Sequence, residues 1–204
     1  MAVPDDAGRV HPETRAEWRS WLADHHASAV AVWLVSWRNH TGKPAVSYDD
    51  AVSEALAVGW VDSLGRKLDD DRTMLYFTRR KPGSGWSRPN KLRIEALERD
   101  GLMTEAGRQV ISAAVADGSW SKLDEVEDLV VPADLASAFE RFPGSRGLWE
   151  AFPRSAKRGI LEWIVQAKRA ETRANRVEQT AASAAKGERA NQAQPRSGTN
   201  PVGG

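Results

Sequence analysis

The sequence predicts an α+β fold, in which a small, mostly antiparallel sheet with packed helices is followed by a helical C-terminal layer and a disordered tail. Two observations carry this prediction. Strand-forming residues, both β-branched and aromatic, concentrate between residues 29 and 80. From about residue 86 onward, apolar residues instead recur three and four positions apart, which is typical of helices. We expect a single domain over residues 12–185, with a sheet-containing part at about 12–82 and a helical part at about 86–185.

The N-terminal part of the chain predicts a helix followed by a buried strand. Pro12 can occupy the first turn of a helix, because its missing N–H costs little there. Trp18, Trp21 and Leu22 then form an apolar stripe at helical spacing. Residues 29–37 are rich in β-branched and aromatic side chains, and they predict the central strand of the sheet.

A second helix and a hairpin are expected next. Ser47 and Asp50 have the spacing of a capping box, with Asp in place of Glu, and they predict a helix that stops at Gly59. Two further strands are expected, at residues 60–68 and 73–80. The turn between them is Asp69-Asp70-Asp71. Adjacent carboxylates at a hairpin tip are typical of a solvated turn that discourages edge pairing, and we prefer this interpretation to a metal site.

The second half of the chain predicts a series of helices. Helix starts are expected at four points, marked by Ser87 or Asn90, Thr104, Pro132 and Ser155. The last helix is expected to be the longest, because apolar residues continue at helical spacing from Ile160 to Val177. Residues 186–204 are rich in Gly, Pro, Asn, Gln and Ser and contain no aromatic residue, so they predict a disordered tail.

Composition excludes several classes of protein. The chain has 204 residues, with 29 Lys and Arg against 28 Asp and Glu, and it has no cysteine. The absence of cysteine excludes a disulfide framework, a thiolate metal site and a cysteine nucleophile. A net charge of +1 argues against a protein that is basic throughout. No apolar run is long enough to cross a membrane and residues 1–12 lack the features of a secretory signal, so we expect a cytoplasmic protein.

The most informative local pattern is the basic segment, residues 79–93, which contains six basic residues and no acidic one. Backbone N–H groups at a helix start, flanked by Arg and Lys, form a natural site for a phosphate, a carboxylate or a nucleic-acid backbone. We therefore predict an anionic ligand, bound by Trp60, Arg79, Arg80, Trp86, Ser87, Arg88 and Asn90. The alternative interpretation is a solvated charged loop that Trp86 anchors to the core, since no Walker-type glycine-lysine spacing is present.

Asp62 is the one candidate for acid–base chemistry. It lies in the segment Gly59-Trp60-Val61-Asp62-Ser63, at the expected junction of a helix and a strand. A carboxylate in an apolar setting can have its pKa raised for catalysis. An enzyme that uses Asp62 in a pocket lined by Trp and Arg is therefore an alternative function, although such an Asp more often accepts hydrogen bonds from nearby backbone or from an Arg.

Nucleic-acid binding is the other alternative, through the basic segment and the basic residues of the last helix. An acidic stretch from Asp117 to Asp134 balances the basic segment in the net charge. It can pair with that segment within one chain or across a homo-oligomer, and both arrangements stay open. The four histidines do not form a metal-binding pattern, and no G-x-S-x-G motif occurs, so we predict no metal and no cofactor.

Five segments together resemble the YdeI/OmpD-associated family, whose members are labelled bacteriocin-protection proteins. They are Gly59-Trp60-Val61-Asp62-Ser63, Phe77-Thr78-Arg79-Arg80, Trp86-Ser87-Arg88-Pro89-Asn90, Gly101-Leu102-Met103-Thr104-Glu105-Ala106-Gly107 and Ala167-Lys168-Arg169-Ala170-Glu171-Thr172-Arg173. The resemblance covers roughly residues 12–187. It implies a role in tolerance to bacteriocins or antimicrobial peptides and suggests an envelope association, and it brings no established reaction, cofactor or set of catalytic residues. The favoured prediction is a non-enzymatic stress-tolerance protein that binds an anionic ligand.

Overall fold

The computed structural model describes residues 7–191, and these confirm the α+β class. The chain divides into two compact units, the first ending at Lys122 and the second beginning at Leu123. All the strands of the described residues lie in the first unit, while the described part of the second is helical. The expectation that residues 12–185 form one domain stays a prediction.

A four-stranded sheet lies at the centre of the first unit, with strand order β1-β2-β4-β3. The strands are β1 Arg9–Val10, β2 Ala31–Trp37, β3 Trp60–Lys67 and β4 Arg72–Arg79. β4 is antiparallel to both β2 and β3, and the two-residue β1 is parallel to β2, so the sheet is mostly antiparallel as predicted. The register of β3 shifts between Asp62 and Gly65, which places an irregularity in this outer strand.

Side-chain caps start three of the four α-helices that the described residues of the first unit form. These helices are α1 Arg15–His25, α2 Tyr48–Ala57, α3 Arg88–Arg99 and α4 Glu105–Ala116, with a short 3₁₀ helix at Asn39–Thr41. The predicted caps of α2 and α4 are confirmed, because the Oγ of Ser47 accepts the Asp50 N–H at 3.1 Å and the Oγ1 of Thr104 accepts the Gly107 N–H at 3.2 Å. Ser87, rather than Asn90, precedes α3.

The prediction that Pro12 occupies the first turn of the first helix is wrong. The helix starts later, after Thr14, whose side chain accepts a hydrogen bond from the Glu17 N–H. A threonine hydroxyl can satisfy one of the free N–H groups of the first turn, and proline cannot do this. The cap therefore sets the start of α1.

The sheet packs on both faces, because successive residues of a strand point to opposite sides. Val32 and Leu34 of β2 face the helices and join the main core, which also holds Trp18, Trp60, Phe77 and Trp86. Trp33 and Val35 point to the opposite face, where they pack with Met74 and Tyr76 of β4. Trp33 and Tyr76 are cross-strand partners with ring centroids 4.9 Å apart. Residues 31–37 are thus buried on both sides, as a central strand requires.

Two glycines allow α4 to approach the C-terminal end of α2. At Gly107 a Cβ atom would lie 2.3 Å from the carbonyl oxygen of Ala57, so only glycine fits. At Gly59 the backbone adopts φ +79°, and a Cβ atom would lie 2.7 Å from a methyl group of Val110. This close packing fixes α4 beside the start of β3.

The second unit is a group of packed helices. They are α5 Asp124–Glu127, α6 Ala133–Arg141, α7 Ser145–Glu150, α8 Arg154–Val165 and α9 Ala170–Ala184. Their apolar residues form one core, in which Leu135, Trp149, Ile164 and Ala181 are almost fully buried. Two residues of the acidic stretch between Asp117 and Asp134 form ion pairs within this unit. Glu127 pairs with Arg158, and Asp134 pairs with Arg173.

The single long helix expected from Ser155 through Val177 is wrong, because the chain breaks between Val165 and Ala170. One straight helix would separate Ile160 from Ala181 by about 30 Å, at ~1.5 Å per residue. Both residues instead lie in the same core. The Arg176 guanidinium donates to the Trp163 carbonyl, which satisfies one of the last carbonyl groups of α8. Burial of both apolar stripes in one core therefore outweighs helical continuity.

The expected tail begins at residue 186, and residues 192–204 lie outside the described part of the chain. Residues 186–191 form turns after α9, and within them Ala190 is buried.

Candidate functional site

A cavity of about 80 Å³ lies between the loop that follows β4 and the C-terminal half of α4. Its loop side consists of residues 80–84 and Trp86, and its helix side of Val110, Ala113, Ala114, Asp117 and Ser119. The loop belongs to the basic segment, so two predicted ligand-binding residues, Arg80 and Trp86, line this cavity.

Arg80 stacks on Trp86. The central carbon of the guanidinium group lies 3.5 Å from the centroid of the indole ring, within the range of a cation–π contact. The Nη2 of Arg80 donates to the carbonyl oxygen of Gly85. Its Nε and Nη1 are buried, and neither has a hydrogen-bond partner among the described residues. The Nε1 of Trp86 is likewise buried without an acceptor there, and the Trp86 side chain is almost fully buried.

Burial lowers the pKa of Arg80 to about 10, while the negative charge of Asp62 acts in the opposite direction. The guanidinium group therefore remains charged at neutral pH. A buried charge without enough partners destabilises a fold, because the group has lost its hydration. The fold bears this cost at a position that lines a cavity.

The loop conformation follows from contacts at both of its ends. The Arg80 N–H donates to the carbonyl oxygen of Gly59, which extends the pairing of β3 and β4. Gly83 has φ +73°, and its N–H donates to the carboxylate of Asp117 at 3.1 Å. Both the N–H and the hydroxyl of Ser84 donate to the Lys81 carbonyl, which closes the turn. These contacts bring the loop against α4.

Asp117 is the acidic group of the cavity. Hydrogen bonds from the Ser119 side chain and N–H, with a further one from the Gly83 N–H, lower the pKa of Asp117. Its carboxylate is therefore ionised at neutral pH. Because Gly83 belongs to the basic segment, the acidic stretch contacts that segment within one chain at this point.

Trp60 and Arg79 do not line the cavity. They are cross-strand partners, and both bind the turn between α1 and β2. The Nε1 of Trp60 donates to the His26 carbonyl at 3.3 Å, and the Nε of Arg79 donates to the Ala29 carbonyl at 2.9 Å. The Nη2 of Arg79 donates to the Ala27 carbonyl. Their contacts hold this turn against the sheet.

The remaining predicted ligand-binding residues, Ser87, Arg88 and Asn90, lie at the start of α3 and do not line the cavity either. Asn90 accepts a hydrogen bond from Arg93 at 3.1 Å, and Arg93 also forms an ion pair with Asp49. Arg88 is exposed at the first position of the helix. The structure thus brings together only Arg80 and Trp86 of the predicted set.

Asp62 lies on β3 and accepts a hydrogen bond from the Tyr48 hydroxyl at 2.9 Å. Burial and this hydrogen bond raise the pKa of Tyr48. Asp62 is not among the residues that line the cavity, and its influence on Arg80 is electrostatic.

The acidic turn between β3 and β4 is held by local contacts. Asp69 accepts the N–H groups of Asp71 and Arg72, Asp70 pairs with Lys67, and Asp71 contacts His40. Within residues 7–191, no group of three or more His, Asp or Glu side chains is arranged to hold a metal ion. No helix in that range is long and apolar enough to span a membrane.

The helix side of the cavity was not predicted from the sequence. Val110, Ala113 and Ala114 have the apolar spacing of any packed helix, so nothing in the pattern identifies them as lining residues. One signal was available for Asp117, because an acidic stretch that balances a basic segment suggests that the two meet.

Two family models match the chain. Residues 10–110 match a model described as Domain of unknown function (DUF8412). Residues 128–187 match the model described as Bacteriocin-protection, YdeI or OmpD-Associated. The comparison with curated proteins and the comparison with solved structures each found no match.

Of the five motifs that carried the resemblance, only Ala167–Arg173 lies within the second match, and the other four lie within the first. The cavity lies in the first unit, and all its lining residues except Ala113, Ala114, Asp117 and Ser119 fall within residues 10–110. The resemblance to the bacteriocin-protection, YdeI or OmpD-associated family is therefore confirmed for residues 128–187, and residues 10–110 are similar to a domain family of unknown function.

Proposed function

We propose that the protein binds a small anionic ligand through Arg80 and Trp86, and that it acts by binding rather than by catalysis. The observation that carries this proposal is the guanidinium group of Arg80, whose Nε and Nη1 are buried at a cavity and have no acceptor among the described residues. An anion supplies the missing acceptors and also compensates the buried charge.

The volume of the cavity favours one charged group over a whole cofactor. Pockets that enclose drug-sized ligands typically measure ~300–1,000 Å³. A cavity of about 80 Å³ is far smaller, so it suits a carboxylate or an ion of similar size. Trp86 adds an indole N–H as a further donor beside the guanidinium group.

Access to these donors requires a small movement of the loop, since all three nitrogens lie below the surface. Lys81, Pro82 and Gly83 are exposed, and only a few polar contacts hold them. Gly83 contacts Asp117 and Lys122, and Ser84 contacts Lys81. An outward shift of these residues exposes the edge of Arg80 without disturbing the sheet.

The two alternative functions have less support. Catalysis by Asp62 needs that carboxylate in the cavity with the arginines, and Asp62 instead accepts a hydrogen bond from Tyr48. Nucleic-acid binding needs a row of available cations. Arg79 donates to backbone carbonyl groups, Arg93 forms an ion pair with Asp49, and Arg80 lines the cavity.

An NMR titration tests the proposal directly. Sodium acetate is added to the ¹⁵N-labelled protein, and the indole N–H resonance of Trp86, assigned with Trp86→Phe, is followed. The resonance is expected to shift with saturation in the wild-type protein and to stay fixed in Arg80→Met. Arg99→Met is the matched control, because Arg99 pairs with Asp100 on the surface of α3. A response equal in all three proteins, or a response that sodium chloride reproduces, contradicts the proposal.

The family match of residues 128–187 supports placing this binding activity in bacteriocin tolerance, in keeping with the family description. Cells that lack the protein are expected to regain tolerance with the wild-type chain and not with Arg80→Met. The cytoplasmic location remains part of this proposal and is tested by cell fractionation.

A further inference from the structure

The cavity is lined by a negatively charged side chain as well as by a positively charged one. Arg80 and Trp86 lie on the loop side, whereas Asp117 lies on the helix side. Each carboxylate oxygen of Asp117 accepts one backbone N–H, from Ser119 at 2.8 Å and from Gly83 at 3.1 Å. The Ser119 side chain is a third donor to this carboxylate. Because a carboxylate has about four lone-pair sites, acceptor capacity remains for one further donor from a ligand.

The position of Asp117 at the end of α4 adds to the negative charge at this side of the cavity. Asp117 is the C-cap of the helix, where the helix dipole places partial negative charge. The Lys122 ammonium group, which donates to the Gly83 carbonyl and helps to lower the pKa of Asp117, partly offsets this negative charge. The carboxylate still favours an ammonium group of the ligand at this end of the cavity. The helix side of the cavity also includes Val110, Ala113 and Ala114, whose side chains can form no hydrogen bond.

We infer that the ligand is a zwitterion, in the form of a free α-amino acid with a small side chain, which presents its carboxylate to Arg80 and its ammonium group to Asp117. This inference rests on the proposed function, since it extends the same cavity to a second charged group. Trp86 donates its indole N–H to the carboxylate, and the apolar wall contacts the side chain. The small volume selects a compact amino acid.

Three probes of matched size separate the two charges. L-Alanine carries both, propionate lacks the ammonium group, and ethylamine lacks the carboxylate. Each is titrated into the ¹⁵N-labelled protein while the Trp86 indole resonance is followed. In the wild-type protein, alanine is expected to bind at least about three-fold more tightly than propionate, and ethylamine is expected to cause no shift. Asp117→Asn keeps an acceptor for the loop, and in this variant the advantage of alanine is expected to disappear.

The outcomes distinguish the two proposals. If propionate binds the wild-type protein as tightly as alanine, or alanine keeps its advantage in Asp117→Asn, the inference of a zwitterionic ligand is wrong. The proposal of anion binding at Arg80 is not affected by this result. If neither alanine nor propionate shifts the Trp86 resonance, anion binding at Arg80 is itself overturned. The ratio in the wild-type protein decides the inference even if Asp117→Asn does not fold.

Discussion

The guanidinium carbon of Arg80 lies 3.5 Å from the centroid of the Trp86 ring, and both side chains have buried nitrogen atoms with no acceptor among the described residues. Cation–π stacking partly compensates the buried charge and does not satisfy its N–H groups. An arrangement of this kind is costly to the fold, so its presence at a cavity points to a binding role. The first prediction follows from this cost.

Arg80→Met is expected to stabilise the protein at pH 7 by about 1–3 kcal/mol, because an apolar side chain of similar length replaces a largely buried charge that lacks two of its hydrogen-bond partners. Urea unfolding followed by circular dichroism measures this difference. Burial lowers the pKa of Arg80 to about 10 in the fold, below its value in the unfolded chain. Above pH 10 the unfolded state therefore binds more protons than the folded state, and the wild-type protein gains stability as pH rises. The advantage of the variant should therefore shrink by about 1 kcal/mol between pH 9 and pH 11. A variant that is less stable at pH 7 assigns Arg80 a structural role.

Arg79, the neighbouring arginine, is expected to behave differently. Arg79→Met removes the hydrogen bonds to the Ala27 and Ala29 carbonyls, so the free energy of unfolding should fall. The decrease should be only about 1 kcal/mol, because these hydrogen bonds are exposed to solvent. The acetate response of Trp86 should remain that of the wild-type protein. Loss of that response together with normal stability would place Arg79 in the ligand site.

Glu54 is expected to be the most important carboxylate for the stability of the first unit. It is 3% exposed and pairs with Arg15 at 2.5 Å and Arg19 at 2.6 Å. Burial alone raises the pKa of Glu54, and the hydrogen bonds and charges of the two arginines outweigh it and lower the pKa. Its contribution is therefore present above the unfolded value of 4.5 and is lost as pH falls through the folded value.

Glu54→Gln should lower the free energy of unfolding at pH 7 by about 1–2 kcal/mol, a modest value because both arginines are partly exposed. The difference from the wild-type protein should decrease steadily below pH 4.5. Urea titrations at several pH values measure this, and a difference that is constant with pH rules out the charge as the cause.

The close packing of α4 on α2 gives a steric prediction. Gly107→Ala places a methyl group within 2.3 Å of the Ala57 carbonyl oxygen, so backbone must move and the free energy of unfolding should fall by about 1–3 kcal/mol. Gly147→Ala in α7 is the matched control, because a Cβ atom there has no neighbour within 4 Å. This control should gain about 0.4–1 kcal/mol from the stiffer unfolded chain. Equal effects at the two positions would show that the contact is unimportant.

Local features of the fold could be predicted from the sequence. The caps at Ser47 and Thr104 depend on residues three positions apart, and the strand Ala31–Trp37 follows from its own composition. The break between α8 and α9 could not be predicted in this way. It depends on Ile160 and Ala181 meeting in one core, and such contacts are invisible to periodicity.

In the candidate site, too, local features could be predicted from the sequence and contacts between distant residues could not. Arg80 and Trp86 could be identified because they lie in one basic, aromatic segment. The sequence could not distinguish Arg80 from its neighbour Arg79, since only the packing shows which of the two lines the cavity. Asp117 lies 37 positions after Arg80, and the packing of α4 against the loop brings it to the same cavity.

The most direct test of anion binding at Arg80 is the dependence of unfolding free energy on acetate concentration, compared between the wild-type protein and Arg80→Met at constant ionic strength. A ligand that binds only the folded state stabilises it by RT ln(1 + [L]/Kd), which is about 1.4 kcal/mol at ten times Kd. We expect the wild-type free energy to rise with acetate along this curve while that of Arg80→Met stays constant. Equal acetate dependence in both proteins, or none in the wild-type protein, would contradict the account.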